Sequence, residues 1–280
     1  MEKKHPVVVK IKRIRCHLLQ NKGIMTDMIT RRKCVQLGMS SLGALLLHSK
    51  RGLAFGAESQ VGVAEIILDG ISISRPLAWE RALVATSSTT SIDVNPVSSK
   101  VTLTNNDIYL HPFSVLILKN PLPQLPKESL QRLQRYLSYG GFLLIDDTSG
   151  RKEGPIHESV VRLCRQLFPT KPLAPLRADH SLYRAFFLFQ NPPHGRVAIK
   201  DYNEGIEVGE ISPLIYIPND LSGALDRDGS GRDIYPCIPG GEYQRTEALK
   251  LAINLFMYSL TSNYKHDQAH VKKLLEEGRL

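Results

Sequence analysis

At 280 residues and 42% apolar composition, the chain can bury one large core or two small ones, and it is too apolar for a disordered protein. Its net charge of +9 is unevenly placed: residues 1–57 hold 12 Lys and Arg against Glu2 and Asp27, which leaves 24 basic and 25 acidic groups in the remainder. A body so close to neutral lacks the broad basic field of a dedicated nucleic-acid binder, and nucleic acid is set aside as a partner.

The first element is a leader. In "TRRKCVQLGMSSLGALLLHSKRGLAFGA" (30–57), Arg31 and Arg32 precede a moderately apolar segment, Val35 to Leu47, and small-residue sites such as Gly52-Leu53-Ala54 follow. Charged, apolar, then small is the order of an export signal, and the apolar part is too short to span a bilayer comfortably. The paired arginines, the Gly38, Ser40, Ser41 and Gly43 content, and Lys50-Arg51 ahead of the cleavage region resemble a twin-arginine export signal. Cys34-Val35-Gln36 stands where Phe-Leu-Lys is usual. The other reading is a surface helix on a basic linker. The expectation is a signal over 1–57, with Met25 or Met28 as alternative starts and the twin-arginine machinery as a partner. The body would be periplasmic or otherwise exported, and anchored if the signal is kept. Cleavage would leave Cys164 and Cys237 in a compartment where disulfides persist. Spacing leaves open a bridge or one helix thiol and one loop thiol.

The body, 58–272, opens on "VGVAEIILDGISI", β-branched and ending in an Asp-Gly turn, which predicts a first strand. "RPLAWERALVATSS" predicts a helix, and "VTLTNNDIYLHPFSVLILKN" a short strand, an Asn-rich turn and a buried strand at Phe113 to Lys119. In "LPKESLQRLQRYLSYGG", Leu130, Leu133, Tyr136 and Leu137 recur at helical spacing between Pro126 and Gly140-Gly141. The next run, "FLLIDD", is apolar until its aspartates, as expected of a strand buried on both faces of a parallel sheet. "PIHESVVRLCRQLFP" predicts another helix, "SPLIYIPND" (212–220) a strand, and 244–265 a long buried helix, with "HVKKLLEEGRL" as a peripheral one and 273–280 as a tail. Alternating elements predict one doubly wound, mostly parallel α/β domain.

Ligands in such sheets bind beyond the carboxyl ends of the strands, which singles out Asp146-Asp147 and Asn219-Asp220. Side chains on a strand alternate, so Asp146 and Asp147 cannot form a close carboxylate pair while both are extended. The structural alternative has Asp147 capping the turn "DTSG" and Asp146 meeting a helix terminus. "RADHSLYRAFF" adds Asp179 and His180, a candidate base or ligand, or else a helix cap and a loop histidine. In "DRDGSGRD", Asp226, Asp228, Ser230 and Gly231 fit the first, third, fifth and sixth places of a calcium loop, but Cys237 occupies the twelfth, and a polar loop is the default. Nucleophile elbows, phosphate loops, dinucleotide fingerprints and zinc helices are all missing from the sequence.

"YLSYGGFLLIDDTSG", "LFP" followed by "PL", "DHSLYRAFF", "EGIEVGE", "IYIPNDLSGAL" and "RTEALKLAINLFMYSLTSNYKHDQAHV" together resemble the family catalogued as domain of unknown function 4159, over about 61–272. The usual "DHPLY" stands here as Asp179-His180-Ser181-Leu182-Tyr183. That resemblance implies a flavodoxin-like fold similar to class I glutamine amidotransferases, and no established activity or cofactor. Where an amidotransferase would carry its Cys on an elbow, this chain has Asp146-Asp147-Thr148, so glutamine hydrolysis is not expected. Two functions are carried forward. One is an exported, non-catalytic binding or assembly module for an unknown protein or small molecule, its acidic pocket lined by Asp146, Asp147, Asp179, His180, Asn219 and Asp220. The other is a hydrolase or metal-assisted enzyme using Asp147 and His180.

Overall fold

The computed structural model describes residues 60–276, with side chains through residue 261. Arg31, Arg32 and the export signal expected over 1–57 lie outside the described residues. In chain order the elements are β1 (Val63–Ile66), α1 (Pro76–Thr89), β2 (Ser99–Val101), β3 (Phe113–Leu118), α2 (Lys127–Ser138), β4 (Phe142–Asp147), α3 (Pro155–Leu167), β5 (Ala174–Pro175), β6 (Glu204–Val208), β7 (Ile211–Ile217), α4 (Leu221–Leu225) and α5 (Gly241–Glu276). Two single turns of 3₁₀-helix, Asp107–Leu110 and Ser181–Arg184, complete them.

The seven strands form one sheet in the order β2, β1, β3, β4, β7, β6, β5. The first five are parallel, and β6 and β5 add an antiparallel edge. This is a doubly wound, flavodoxin-like α/β fold. Its two faces are read off the strands: Phe113, Val115 and Ile117 of β3 join Phe142 and Leu144 of β4 in one core with Trp79 of α1 and Leu251, Leu255 and Phe256 of α5. The alternate residues, Leu116, Leu118, Leu143 and Ile145, join Leu133, Tyr136 and Leu137 of α2 and Val160 and Leu163 of α3 in the other. Burial on both faces is why β3 and β4 have no polar residue at most positions.

Two parts of the sheet were not expected from the sequence. β5 is two residues long, and β6 alternates weakly because it holds Gly205 and Glu204. A side chain at Gly205 would meet Leu176, so the glycine lets the edge pack closely. The final helix also differs from expectation: α5 continues without a break to Glu276, taking in part of the tail read as a separate helix. No described helix is long and apolar enough to cross a membrane.

The strand order reverses between β1 and β3, where sheets of this kind take a ligand. Here the chain fills that crevice itself. Ser72 bridges Leu118 in antiparallel fashion, Ile73 N donates to the Ile117 carbonyl, and Lys119 N and Asn120 N both donate to Ile71. The open space beyond the strand ends therefore lies one strand further along, between β3 and β4.

The glycine pair between α2 and β4 has two separate duties. Gly140 has φ of +93°, which stops α2 in a conformation that disfavours side chains. Gly141 lies under the Tyr136 ring, where a Cβ would overlap it. That ring is buried, and its hydroxyl donates to the carbonyls of His111 and Phe142 at 2.9 and 3.0 Å. Gly141→Ala is therefore expected to lower stability by about 1–3 kcal/mol in denaturant unfolding; an unchanged midpoint would show that the ring has room to move.

Candidate functional site

β4 ends with two buried carboxylates, and the alternation of the strand sends them to opposite faces. Asp146, on the α1 side, accepts from the backbone N of Leu221 and of Ser222, each at 2.8 Å, and from Ser222 Oγ at 2.5 Å. It thus satisfies the otherwise orphaned donors that open α4. Burial, then the neighbouring Asp220 charge, push its carboxyl well above the usual range, against the Ser222 hydrogen bonds and Arg75.

Asp220 forms the turn from β7 into α4. It is the one described non-glycine residue with positive φ, +55°, a conformation worth about 1–2 kcal/mol of strain in an L-residue. Its carboxylate is fully buried and ion-paired to both Arg75 and Arg196, and it also accepts from Gly223 N at 3.1 Å. Gly195 packs directly on this turn, because any Cβ there would overlap the backbone of Asn219 and Asp220. The strand-turn-helix geometry of an elbow is thus present after β7 rather than after β4. It presents a salt-bridged Asp in place of a nucleophile. Burial opposes the Arg75 charge, but Asp220 and Asp146 more than offset it and hold the guanidinium above its ordinary pKa. Tyr235 covers both arginines, 5.1 Å from Arg75 and 5.7 Å from Arg196. Asn219 is spent on backbone: its Oδ1 accepts from Ile199 N and Lys200 N, and its Nδ2 donates to the Lys200 carbonyl at 2.7 Å.

On the other face, Asp147 reaches a cavity of about 300 Å³. The cavity is lined by Lys119 to Pro121 after β3, by Asp147, Ser149, Arg151 and Glu153 after β4, and by the first turn of α3, including His157. Asp147 Oδ1 accepts from Ser149 N at 2.7 Å, which tightens the turn, and Oδ2 accepts from the Tyr216 hydroxyl at 2.6 Å. Burial and the Asp147 charge raise the Tyr216 phenol far above its usual pKa, so it remains a donor. Behind the cavity, His157 Nε2 lies 2.7 Å from Glu204 Oε2, and Lys200 Nζ donates to Glu204 Oε1 at 3.2 Å. Glu204 faces Tyr216 across the antiparallel pair, and the His157 and Tyr216 rings are 5.4 Å apart.

Of the six residues expected to share one acidic pocket, Asp147 alone lines this one. Asp146, Asn219 and Asp220 are buried behind it or on the opposite face. His180 is at the wrong end of the sheet: its Nε2 lies 3.1 Å from Ser212 Oγ, and Ser212 is the second residue of β7, whereas Asp147 ends the parallel β4 beside it. The pairing of Asp147 with His180 as base or ligands is therefore overturned. His180 instead caps the 3₁₀ turn, its Nδ1 accepting from Leu182 N at 3.2 Å, and burial lowers its pKa. Asp179 is exposed and pairs with Arg177.

Two other expectations are resolved by placement. Cys164 and Cys237 are both free and buried, in cores on opposite faces of the sheet, so they do not form a bridge. In the 226–233 loop, Asp226 turns inward to Arg75, and Asp228 is occupied by Ser230 and Arg232. This leaves a polar loop closed on itself. Sequence reasoning missed His157, Glu204, Lys200, Arg75 and Arg196. His157 left one signal, a titratable side chain in the first turn of the helix that follows the best strand. The partners come from distant segments that no spacing connects.

The family model described as Domain of unknown function (DUF4159) matches residues 73–260, and the chain belongs to that family. No curated protein matches it.

The Arg75 network makes a direct prediction. Arg75→Met removes a partner from the buried Asp220 and from Asp226 without emptying the space, so it should lower stability by about 3–5 kcal/mol in chemical denaturation. A loss below about 1 kcal/mol, the range of exposed pairs, would mean that water reaches the cluster.

Proposed function

Taking membership of this family as the premise, we propose that the protein is an exported binding module that holds a small polar ligand between the ends of β3 and β4 without transforming it. One contrast carries the reading. The carboxylates that the sequence offers for catalysis are already satisfied inside the protein, whereas the exposed cations Lys119 and Arg151 line the cavity beside Glu153 and form no ion pair with a described acid. A hydrolase would need a nucleophile, its base and an oxyanion site converging on one point. Asp147 is held by Ser149 and Tyr216, and the elbow position is filled by a buried Asp220. The pocket has the size of a small-ligand site and lies on the carboxyl edge, beside the crevice that the 71–73 segment fills.

Thermal unfolding of the full chain with inorganic phosphate or succinate tests the pocket. A ligand at about 100 times its Kd adds about 2.7 kcal/mol, or roughly 5–10 °C in Tm. Lys119→Ala with Arg151→Ala should leave the unliganded Tm unchanged, because both side chains are exposed, and should abolish the shift. A shift that survives in the double variant would place binding elsewhere.

Export is the other half of the proposal and rests on Arg31, Arg32 and the apolar segment behind them. Residues 25–60 fused to a reporter that works only after folded export should deliver it, and changing Arg31 and Arg32 together to Lys should stop delivery. Undiminished export by that variant would rule out the twin-arginine route.

A further inference from the structure

The chemistry of the ligand follows from how Glu204 is shared. Its side chain is only 8% exposed and has an ammonium at one oxygen and an imidazole nitrogen at the other. Glu204 Oε1 accepts from the Lys200 ammonium, and Oε2 is the acceptor left for His157. His157 Nε2 must therefore carry the proton in its bond to Glu204, and in the Nε2-protonated tautomer of imidazole the other nitrogen, Nδ1, is the acceptor. His157 lines the cavity, so the ring offers that wall an acceptor. Asp147 offers a second acceptor, because each of its oxygens has a lone pair beyond the one used by Ser149 or Tyr216. The cavity thus combines two acceptors on its inner wall with an exposed rim of two cations, Lys119 and Arg151, and one carboxylate, Glu153.

We infer that the ligand is a small organic anion that also bears a hydrogen-bond donor, a hydroxyl or an ammonium group, read by His157 and Asp147 while Lys119 and Arg151 hold the anionic end. A plain dicarboxylate would satisfy the cations and leave both acceptors facing a group that cannot donate. The inference rests on the pocket reading above and deepens it. Glu204 acts as a positioning residue, fixing which ring nitrogen is the acceptor, with Lys200 on its other oxygen. Asn219 contributes at one remove, by anchoring the Lys200 backbone.

Three probes of nearly equal size separate the possibilities: succinate has no donor, malate adds a hydroxyl, and aspartate adds an ammonium. Calorimetric titration of the full chain should give malate, aspartate or both an affinity about tenfold above succinate, the value of one good hydrogen bond. Whichever is preferred identifies the donor. His157→Gln puts an amide where Nε2 was, which keeps the Glu204 contact and removes the Nδ1 acceptor. It should erase the preference and leave succinate affinity unchanged, a split that general damage to the fold would not produce. Equal binding of all three by the unaltered protein would overturn this inference while leaving the pocket an anion site. Binding of none would overturn the pocket reading itself, and a preference that persists in His157→Gln would remove His157 from the recognition.

Discussion

Two adjacent aspartates end a strand that is covered on both sides, and the polar architecture of the protein is organised around that constraint. An ionised carboxylate taken out of water costs several kcal/mol unless it is paired or hydrogen-bonded, and the alternation of β4 prevents Asp146 and Asp147 from sharing one set of partners. Each face supplies its own. On the α1 side, the opening backbone donors of α4 meet Asp146, and Arg75 and Arg196 converge on Asp220. On the α3 side, Tyr216 and the turn at Ser149 hold Asp147. The two solutions differ in one respect that matters for function. The first is sealed, and the second opens on a cavity.

The location of that cavity follows from a second constraint. Reversal of strand order between β1 and β3 leaves a crevice that many sheets of this type give to a ligand. In this protein the segment after β1 folds back and pairs with the end of β3, so the backbone donors at Lys119 and Asn120 are taken by Ile71. The side chain of Lys119 is left to line the neighbouring space between β3 and β4. The cavity lies at the carboxyl edge, where sheets of this type take ligands, one strand along from the reversal. The strained turn at Asp220 belongs to the sealed side. Its positive φ is held in place by close packing against Gly195 and by two arginines on its carboxylate.

The parts of the fold that were legible in the sequence are those whose signal is local. The helical spacing of Leu133, Tyr136 and Leu137, the glycines after them and the unbroken apolar run of β4 placed the central strand-helix-strand unit within a residue or two. The antiparallel edge was not legible, since β5 is two residues long and β6 has a glycine and a buried glutamate where alternating apolar residues would mark a strand. The site was legible only at Asp147. His157 and Glu204 are 47 residues apart, and their contact exists because β6 runs antiparallel to β7 and brings Glu204 opposite Tyr216.

By itself the sequence determined the charge division between residues 1–57 and the rest, the α/β class, and the fact that Asp146 and Asp147 face apart, because composition and side-chain period are properties of the chain alone. Only the tertiary structure decided which carboxylate is sealed and which is open, that His180 stands at the other end of the sheet, and that His157 takes the place beside Asp147. Those outcomes depend on strand order and direction, and pairing energies between distant segments leave no periodic trace in either segment by itself.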